Sequence, residues 1–188
     1  MNRKYFLLII LFSLSAIVHS QSKFNAGASF NIGFPASSLS NIAKTGIGGS
    51  AIGEFAFSNQ VSVTLSASYQ NFPGKSEGVA YQGNVYDFSV NSIPVMAGVR
   101  YYFSNEFFGM LEAGVNFLRV SADIYDVYSN EKISTDYQSK FGGSIGIGYR
   151  YRLAEPSVFE LSGVYHYVQD NYNSFSLNFG VIILLDNI

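Results

Sequence analysis

The feature that most restricts the fold of this chain is an alternation of apolar and polar residues with a period of two. Between residues 24 and 34 the apolar side chains, such as Phe24 and Ile32, occupy even positions, and polar ones, such as Asn25 and Asn31, occupy odd positions. Neighbouring side chains of a β-strand point to opposite faces, so this pattern predicts a strand between unlike surroundings. Eight such segments can be read, near 24–34, 46–57, 61–72, 86–103, 107–120, 138–153, 158–168 and 174–184. No stretch after residue 20 shows the helical period of 3.6, so the prediction is an all-β fold.

The connections between the eight segments alternate in length. Long ones follow the first, third and fifth segments, at 35–45, 73–85 and 121–137, and a moderate one follows the seventh, at 169–173. Tight turns follow the second, fourth and sixth segments, at 58–60, 104–106 and 154–157. This alternation predicts an antiparallel up-and-down barrel, whose two ends we call the tight-turn end and the long-loop end.

The composition of the polar face indicates which face points outward. Charged residues make up 13% of the chain, against about 25% in ordinary soluble domains. The polar face carries mainly glycine, serine and asparagine, with Ser62, Thr64 and Ser66 in the third segment and Gly142 and Gly146 in the sixth as examples. Small polar residues suit the narrow interior of an eight-stranded barrel. We therefore predict an eight-stranded antiparallel transmembrane β-barrel, with its apolar face toward lipid.

The charges inside the strands support this orientation. Seven of them fall on the polar face: Glu54, Arg100, Glu112, Lys140, Arg150, Arg152 and Glu160. The opposite register would place Arg100 and Arg150 in hydrocarbon, at a cost of about 2–4 kcal/mol each near the bilayer midplane. Because buried charges must be paired, we predict that these seven residues form an ion-pair network in the lumen, nearest the tight-turn end.

The first twenty residues have the pattern of an export signal. A cationic start, Arg3 and Lys4, precedes an apolar run from Phe6 to Val18, and Ser20 is a small residue at the expected cleavage position. The run is too short to span a bilayer but suits a secretory signal. We therefore expect residues 1–20 to be a cleaved signal peptide and residues 21–188 to be the barrel domain.

Pro94 is an unusual residue in the fourth segment because proline lacks the N–H that a closed sheet needs. If the membrane-spanning part of this strand begins near Ile93, Pro94 lies at its outer rim, where a bulge would accommodate it. The preceding residues 86–92 would then stand above the bilayer.

The long loops are the places where recognition is expected, because exposed aromatic side chains on a rigid scaffold often bind partners. The candidate residues are Tyr81, Tyr125, Tyr128 and Tyr137. The loop 121–137 also carries carboxylates, but without the spacing of a calcium loop, and the chain has no cysteine. We expect no metal, no cofactor and a solvated loop.

Three functional hypotheses remain open from the residues. The first is a non-enzymatic membrane barrel with a structural or surface-interaction role, which is not a pore because side chains fill an eight-stranded interior. The second is a lipid-modifying enzyme, acyl hydrolase or transferase, for which His166 on the polar face is the candidate base. The third is a secreted soluble barrel, like a lipocalin, that carries an apolar ligand.

The chain has 11 basic against 13 acidic residues, so nucleic acid is not an expected partner.

The sequence after residue 20 resembles a known family over essentially its whole length, and one part carries the resemblance most clearly. The run from Ser92 through Pro94 to Phe103, followed by a short turn and then Glu112 to Val115, resembles the outer-membrane β-barrel domain family of small OmpA/OmpX-like and PorT-like barrels. The resemblance implies periplasmic termini, extracellular long loops and residence in the outer membrane of a Gram-negative bacterium. It also implies contact with outer-membrane lipid, lipopolysaccharide and the barrel-insertion machinery.

Overall fold

The computed structural model describes residues 23–75, 85–125 and 130–185. Nearly all of them lie in antiparallel strands, as the period of two predicts. The strands are β1 (Lys23–Pro35), β2 (Gly46–Ala56), β3 (Val61–Pro73), β4 (Val85–Tyr102), β5 (Phe107–Tyr125), β6 (Asn130–Ser134), β7 (Gln138–Ala154), β8 (Ser157–Val168) and β9 (Ser174–Leu184). One short helix, α1 (Ser37–Ile42), lies between β1 and β2, and a single 3₁₀ turn (Gln169–Asn171) precedes β9.

Eight of these strands close into a barrel. Each is paired antiparallel with its two neighbours in the order β1, β2, β3, β4, β5, β7, β8, β9, and β9 pairs again with β1. The closing pair runs through eleven positions, from Asn25 opposite Leu184 to Pro35 opposite Ser174. The predicted eight-stranded antiparallel up-and-down barrel is therefore confirmed. Residues 1–20, which we expect to be a signal peptide, lie outside the described part of the chain.

Two elements at the long-loop end differ from the sequence prediction. The loop expected at 121–137 is partly a hairpin, because β5 continues to Tyr125 and β6 pairs with its upper part. The connection expected at 35–45 contains α1. At six residues, this helix is too short to give a recognisable period of 3.6, and it is held in place by the barrel mouth beneath it.

Pro94 is accommodated without a bulge. Between β3 and β4, Ala67 pairs with Val95 and Gln70 pairs with Ser92, so the register is the same on both sides of the proline. Backbone pairing lapses only for the positions in between. On the other side of β4, Pro94 still lies opposite Asn116 of β5. The missing N–H thus interrupts one ladder locally, and the expected bulge is wrong.

The outer wall of the barrel is apolar. Outward side chains in mid-strand are strongly exposed, including Leu65 at 63%, Ile145 at 61% and Ile147 at 71%. Inward positions of the same strands are buried and mostly polar, as for Ser62 and Ser144. A soluble barrel with an apolar ligand site has the reverse arrangement. Within the described residues, no helix is long and apolar enough to cross a membrane.

Candidate functional site

Four charged side chains form a closed cluster across the lumen near the tight-turn end. They come from four strands: Glu54 from β2, Arg100 from β4, Arg150 from β7 and Glu160 from β8, and all are buried. Arg100 makes a two-pronged contact with Glu160, with Nη1 donating to Oε2 at 2.8 Å and Nη2 donating to Oε1 at 3.0 Å. Its Nη1 also lies 3.3 Å from Oε2 of Glu54. We call these four residues the charge cluster.

Arg150 completes the charge cluster from the opposite side. Its Nε donates to Oε2 of Glu160 at 3.0 Å, and its Nη2 donates to Oε2 of Glu54 at 2.5 Å. Each carboxylate therefore contacts both guanidinium groups, and the two positive charges balance the two negative ones. Such complete pairing is what makes ionised groups tolerable in a buried site. The register places Arg150 directly opposite Glu160, so part of the geometry follows from strand pairing alone.

Two aromatic side chains support the charge cluster. The Tyr102 hydroxyl donates to Oε1 of Glu54 at 2.7 Å. The guanidinium carbon of Arg100 lies 4.5 Å from the centre of the Phe108 ring, and that of Arg150 lies 4.9 Å from the Tyr102 ring, both in cation–π geometry. Phe108 fits because its cross-strand neighbour is Gly148, where an added Cβ would lie 2.2 Å from the ring.

The other three residues of the expected network lie outside the charge cluster. Glu112 is buried in the next layer of the lumen and accepts hydrogen bonds from Thr64 and Ser66, both at 3.3 Å. Lys140 lies at the long-loop end, where its Nζ is 2.6 Å from Oδ2 of Asp170.

Arg152 is the third of these residues, and it lies at the rim of the tight-turn end. Its side chain is 70% exposed and lies 3.6 Å from Glu155. Lys140 and Arg152 occupy the inward positions of the alternation in β7. Both lie near the ends of that strand, where an inward position does not direct the side chain into the lumen. The structure therefore assembles four of the seven residues, and places Lys140 and Arg152 at opposite ends of the barrel.

In the middle of the lumen hydroxyl and amide side chains lie around His166, together with apolar ones such as Met110 and Val164. The Nδ1 of His166 lies 2.9 Å from the Ser144 hydroxyl, and its Nε2 lies 2.8 Å from the Ser176 hydroxyl. A cavity of about 60 Å³ separates this layer from Arg100 and Glu112, which is room for a few water molecules. Both ring nitrogens are engaged by serines, and neither has a carboxylate partner among the described contacts. The orienting acid of a Ser-His-acid hydrolase is therefore missing from this arrangement.

An apolar cluster that the sequence analysis did not predict lies at the long-loop end of the barrel. Leu39 and Ala43 from the α1 region pack against Phe72 of β3 and Val90 of β4, and all four are almost fully buried. Tyr172 packs against them from the connection before β9. We call these five residues the apolar plug. A signal was present in the sequence, because Phe72 occupies the parity that is otherwise polar in β3.

Hydrogen bonds hold α1 over the apolar plug. The Ala36 N–H donates to the Asn173 carbonyl at 2.9 Å, and the Asn173 side-chain amide donates to the Ser37 hydroxyl at 3.0 Å. From the other side, Lys75 Nζ donates to the Ser40 carbonyl at 2.6 Å. The helix is thus tied to both neighbouring connections.

The four tyrosines proposed for recognition are placed only in part. Tyr81 and Tyr128 lie outside the described residues. The backbone of Tyr125 pairs with Val85 on one side and with Asn130 on the other. Tyr137 is exposed, and the Arg119 guanidinium lies 5.3 Å from its ring centre. Across the described ranges, no group of three or more metal-ligating side chains comes together.

The barrel, its apolar outer wall and its charged lumen define a transmembrane β-barrel protein. The family model described as the outer membrane protein beta-barrel domain matches residues 5–182. The chain belongs to this family, whose members lie in the outer membrane of Gram-negative bacteria. The family predicted from the sequence is therefore confirmed.

Solved structures with the same fold are distant in sequence. Ail, the attachment invasion locus protein of Yersinia pestis, solved with the heparin analogue sucrose octasulfate, is 16% identical, with a TM-score of 0.53 over 87% of this chain and 97% of that chain. Neisserial surface protein A is 18% identical, with a TM-score of 0.51 over 87% and 97%. OprG of Pseudomonas aeruginosa is 14% identical, with a TM-score of 0.50 over 87% and 93%. The search of curated proteins finds no match.

Proposed function

We propose that this chain is a non-enzymatic outer-membrane barrel that does not conduct and that acts at the cell surface through its long-loop end. In this proposal residues 1–20 are removed on export, the tight turns face the periplasm and the long loops face outward. Phospholipid and lipopolysaccharide surround the apolar wall, and the barrel-insertion machinery places it there. The long-loop end is the end that carries additional structure beyond the barrel.

Two obstacles in the bore support a non-conducting lumen. The charge cluster pairs side chains from four strands across the lumen near the tight-turn end, and the apolar plug packs side chains together at the long-loop end. An ion would have to disrupt paired charges at one obstacle and lose its hydration at the other. In planar bilayers we expect the full chain to show no stepwise ion current. The Phe72→Ala variant should also remain silent, since the charge cluster is still in place.

The observation that carries the surface role is a three-stranded extension at the long-loop end. The upper parts of β4 and β5 pair with each other as far as Val85 and Tyr125, and β6 pairs with β5 on the other side. Among the described residues, β6 has no second neighbour. An edge strand exposes backbone N–H and C=O groups, which an extended partner segment can pair with.

The charge of this region indicates the chemistry of its partner. The stretch 121–137 contains Asp123, Asp126, Glu131 and Asp136 against the single base Lys132. Like charges brought together at an interface cost binding energy, so a sulfated polyanion such as the heparin analogue bound by Ail is disfavoured here. We infer that the extension recognises an extended, cationic or neutral segment of another protein.

A hairpin deletion tests this role. Ser121 and Ser134 are paired, so residues 122–133 can be replaced by Asn-Gly, which favours a two-residue turn. The deletion should leave a folded barrel, shown by a band that shifts on boiling in electrophoresis. We expect a short fluorescent peptide of alternating lysine and valine to bind the full chain and not the deleted one. Equal binding to both, or stronger binding of the matched glutamate–valine peptide, would contradict the proposal.

A further inference from the structure

The lipid-facing wall carries a groove of about 610 Å³ that neither the ion pairs nor the loops explain. It lies on the outer surface of β7, β8 and β9, next to the tight turn between β4 and β5. One wall is formed by Phe103, Phe107 and Tyr149, and the other by Phe175 and Phe179. We call this feature the outer-wall groove. Its size falls within the range of small-molecule pockets, about 300–1,000 Å³.

The floor of the outer-wall groove results from a glycine among large neighbours. Gly163 of β8 points outward and pairs with Ile147 of β7 on one side and Leu177 of β9 on the other. A Cβ added at Gly163 would lie 3.3 Å from the edge of the Phe175 ring. A side chain at this position would therefore occupy the groove, whereas glycine leaves it open.

The walls are fixed by contacts between aromatic rings. The rings of Phe107 and Tyr149 pack with their centres 4.9 Å apart. Phe103 folds back over an outward glycine, because a Cβ at Gly109 would lie 3.2 Å from its ring. These rings form one wall, and Phe175, whose ring lies against Gly163, belongs to the other. The groove is therefore part of the folded barrel and does not need an occupant to form.

The groove offers almost no polar contact. The Tyr149 hydroxyl and the Ser162 hydroxyl are the only polar side-chain groups among its lining residues. Ser162 is buried and accepts a hydrogen bond from the Asn178 amide at 3.2 Å, so it is already engaged on the lumen side. An occupant must therefore be apolar where it enters the groove.

We propose that the outer-wall groove is a binding site for one acyl chain of a phospholipid. The groove is continuous with the lipid-facing wall, so hydrocarbon is the material that reaches it. A chain inside it contacts side walls and floor, whereas a chain on a flat wall contacts one surface, and dispersion contacts add up with the number of atoms touched. The groove extends from Phe103 and Phe107, which flank a tight turn, to Phe175 near the long-loop start of β9, so an acyl chain that lies along the wall can follow it.

Lipid retention in detergent provides the test. The purified full chain is titrated with palmitoyl-oleoyl-phosphatidylethanolamine, and bound lipid is counted by native mass spectrometry. We expect one lipid to be retained by the wild-type chain. Gly163→Leu, which fills the groove, should weaken retention by at least about tenfold, equivalent to about 1.4 kcal/mol. Gly163→Ala should give a smaller loss in the same direction and serves if the leucine variant does not fold.

The matched control is another outward glycine. At Gly53 of β2 an added Cβ meets only the Phe24 ring, at an ordinary 3.6 Å, so Gly53→Leu adds the same side chain to the wall away from the groove. It should retain lipid as the wild type does. Equal retention by all folded variants would overturn the proposal, as would lipid loss in Gly53→Leu. A wild-type dimer that Gly163→Leu converts to monomer would also overturn it, in favour of a second copy as the occupant.

Discussion

At the tight-turn end two arginines and two glutamates from four strands pair across the lumen, whereas at the long-loop end apolar side chains from two strands and a helix pack together. The charge cluster depends on direction and register, because each partner comes from a different strand and must meet two others. The apolar plug depends on volume and shape only. One narrow barrel thus holds one cluster built by specific pairing and another built by packing, and the two should fail in different ways.

The largest expected effect is a charge reversal in the cluster. Arg150→Glu places a third carboxylate beside Glu54 and Glu160 and leaves Arg100 to balance all three. Breaking a buried ion pair lowers the free energy of unfolding by about 3–5 kcal/mol, and reversing the charge adds repulsion to this loss. The whole free energy of unfolding of a protein is only about 5–15 kcal/mol. We expect no folded band in unboiled electrophoresis after refolding into detergent. Arg152→Glu, at the exposed rim, should fold normally. A folded Arg150→Glu barrel would show that the cluster is dispensable.

A smaller loss is expected from the apolar plug. Phe72→Ala leaves a cavity beneath α1 and should lower the free energy of unfolding by about 3–5 kcal/mol, the usual range for a buried phenylalanine. The measurement is urea unfolding of the refolded barrel, followed by the electrophoretic shift. Phe34→Ala, at a lipid-facing position, removes the same ring without opening a cavity. If both variants lose the same stability, packing at the barrel mouth is not what holds the plug.

Removal of one hydroxyl should affect the charge cluster moderately. Tyr102→Phe keeps the ring beside Arg150 but removes the hydrogen bond to Glu54. Hydrogen bonds to charged groups contribute about 1.5–3 kcal/mol, so urea unfolding should detect the change. Tyr101→Phe, which removes an outward hydroxyl from the neighbouring residue, is the control and should differ little from wild type. A stable Tyr102→Phe variant would mean that the two arginines alone satisfy Glu54.

The exposed ion pair at the long-loop end should matter least among the single changes. Lys140→Ala removes the contact with Asp170, whose side chain is 53% exposed. Pairs of this kind contribute about 0–1 kcal/mol, and the effect should shrink further as salt is added. Unfolding in urea at low and high salt measures it. A loss as large as that of Phe72→Ala would show that this pair belongs to the closure of the barrel mouth.

The charge cluster and the apolar plug should also contribute independently to the free energy of unfolding. They share no residue, and energies of distant sites usually add within about 0.3–0.5 kcal/mol. The double variant Phe72→Ala/Tyr102→Phe should therefore lose the sum of the two single losses. A larger coupling would show that strain passes between the ends through the polar layer around His166.

Much of the fold follows from the alternation, because lipid outside and a crowded bore inside impose opposite demands on adjacent residues. The same rule placed Glu54, Arg100, Arg150 and Glu160 on the inner face. It did not reveal which of the inward charges meet, since that depends on barrel tilt and shear as well as parity. Lys140 and Arg152 occupy inward positions of the alternation, but they lie near the ends of β7. An inward position there does not bring the side chain into contact with the charge cluster.

The long-loop end was the least predictable part for a physical reason. Helix α1 is short, and its first turn has no side-chain cap and no acidic residue, so the usual signals of a helix start are absent. Its stability comes from Leu39 packing on Phe72, a tertiary contact that local sequence does not encode. Phe72 was readable as an exception, since it is an aromatic residue on an otherwise polar face.

The ladder between β1 and β9 joins residues that are far apart in the chain, as Asn25 faces Leu184. Until β9 has been synthesised, the sheet has two unpaired edge strands. Their free backbone N–H and C=O groups can pair with a strand of another molecule. Contacts with so large a sequence separation form slowly. The barrel can therefore close only after β9 has been made.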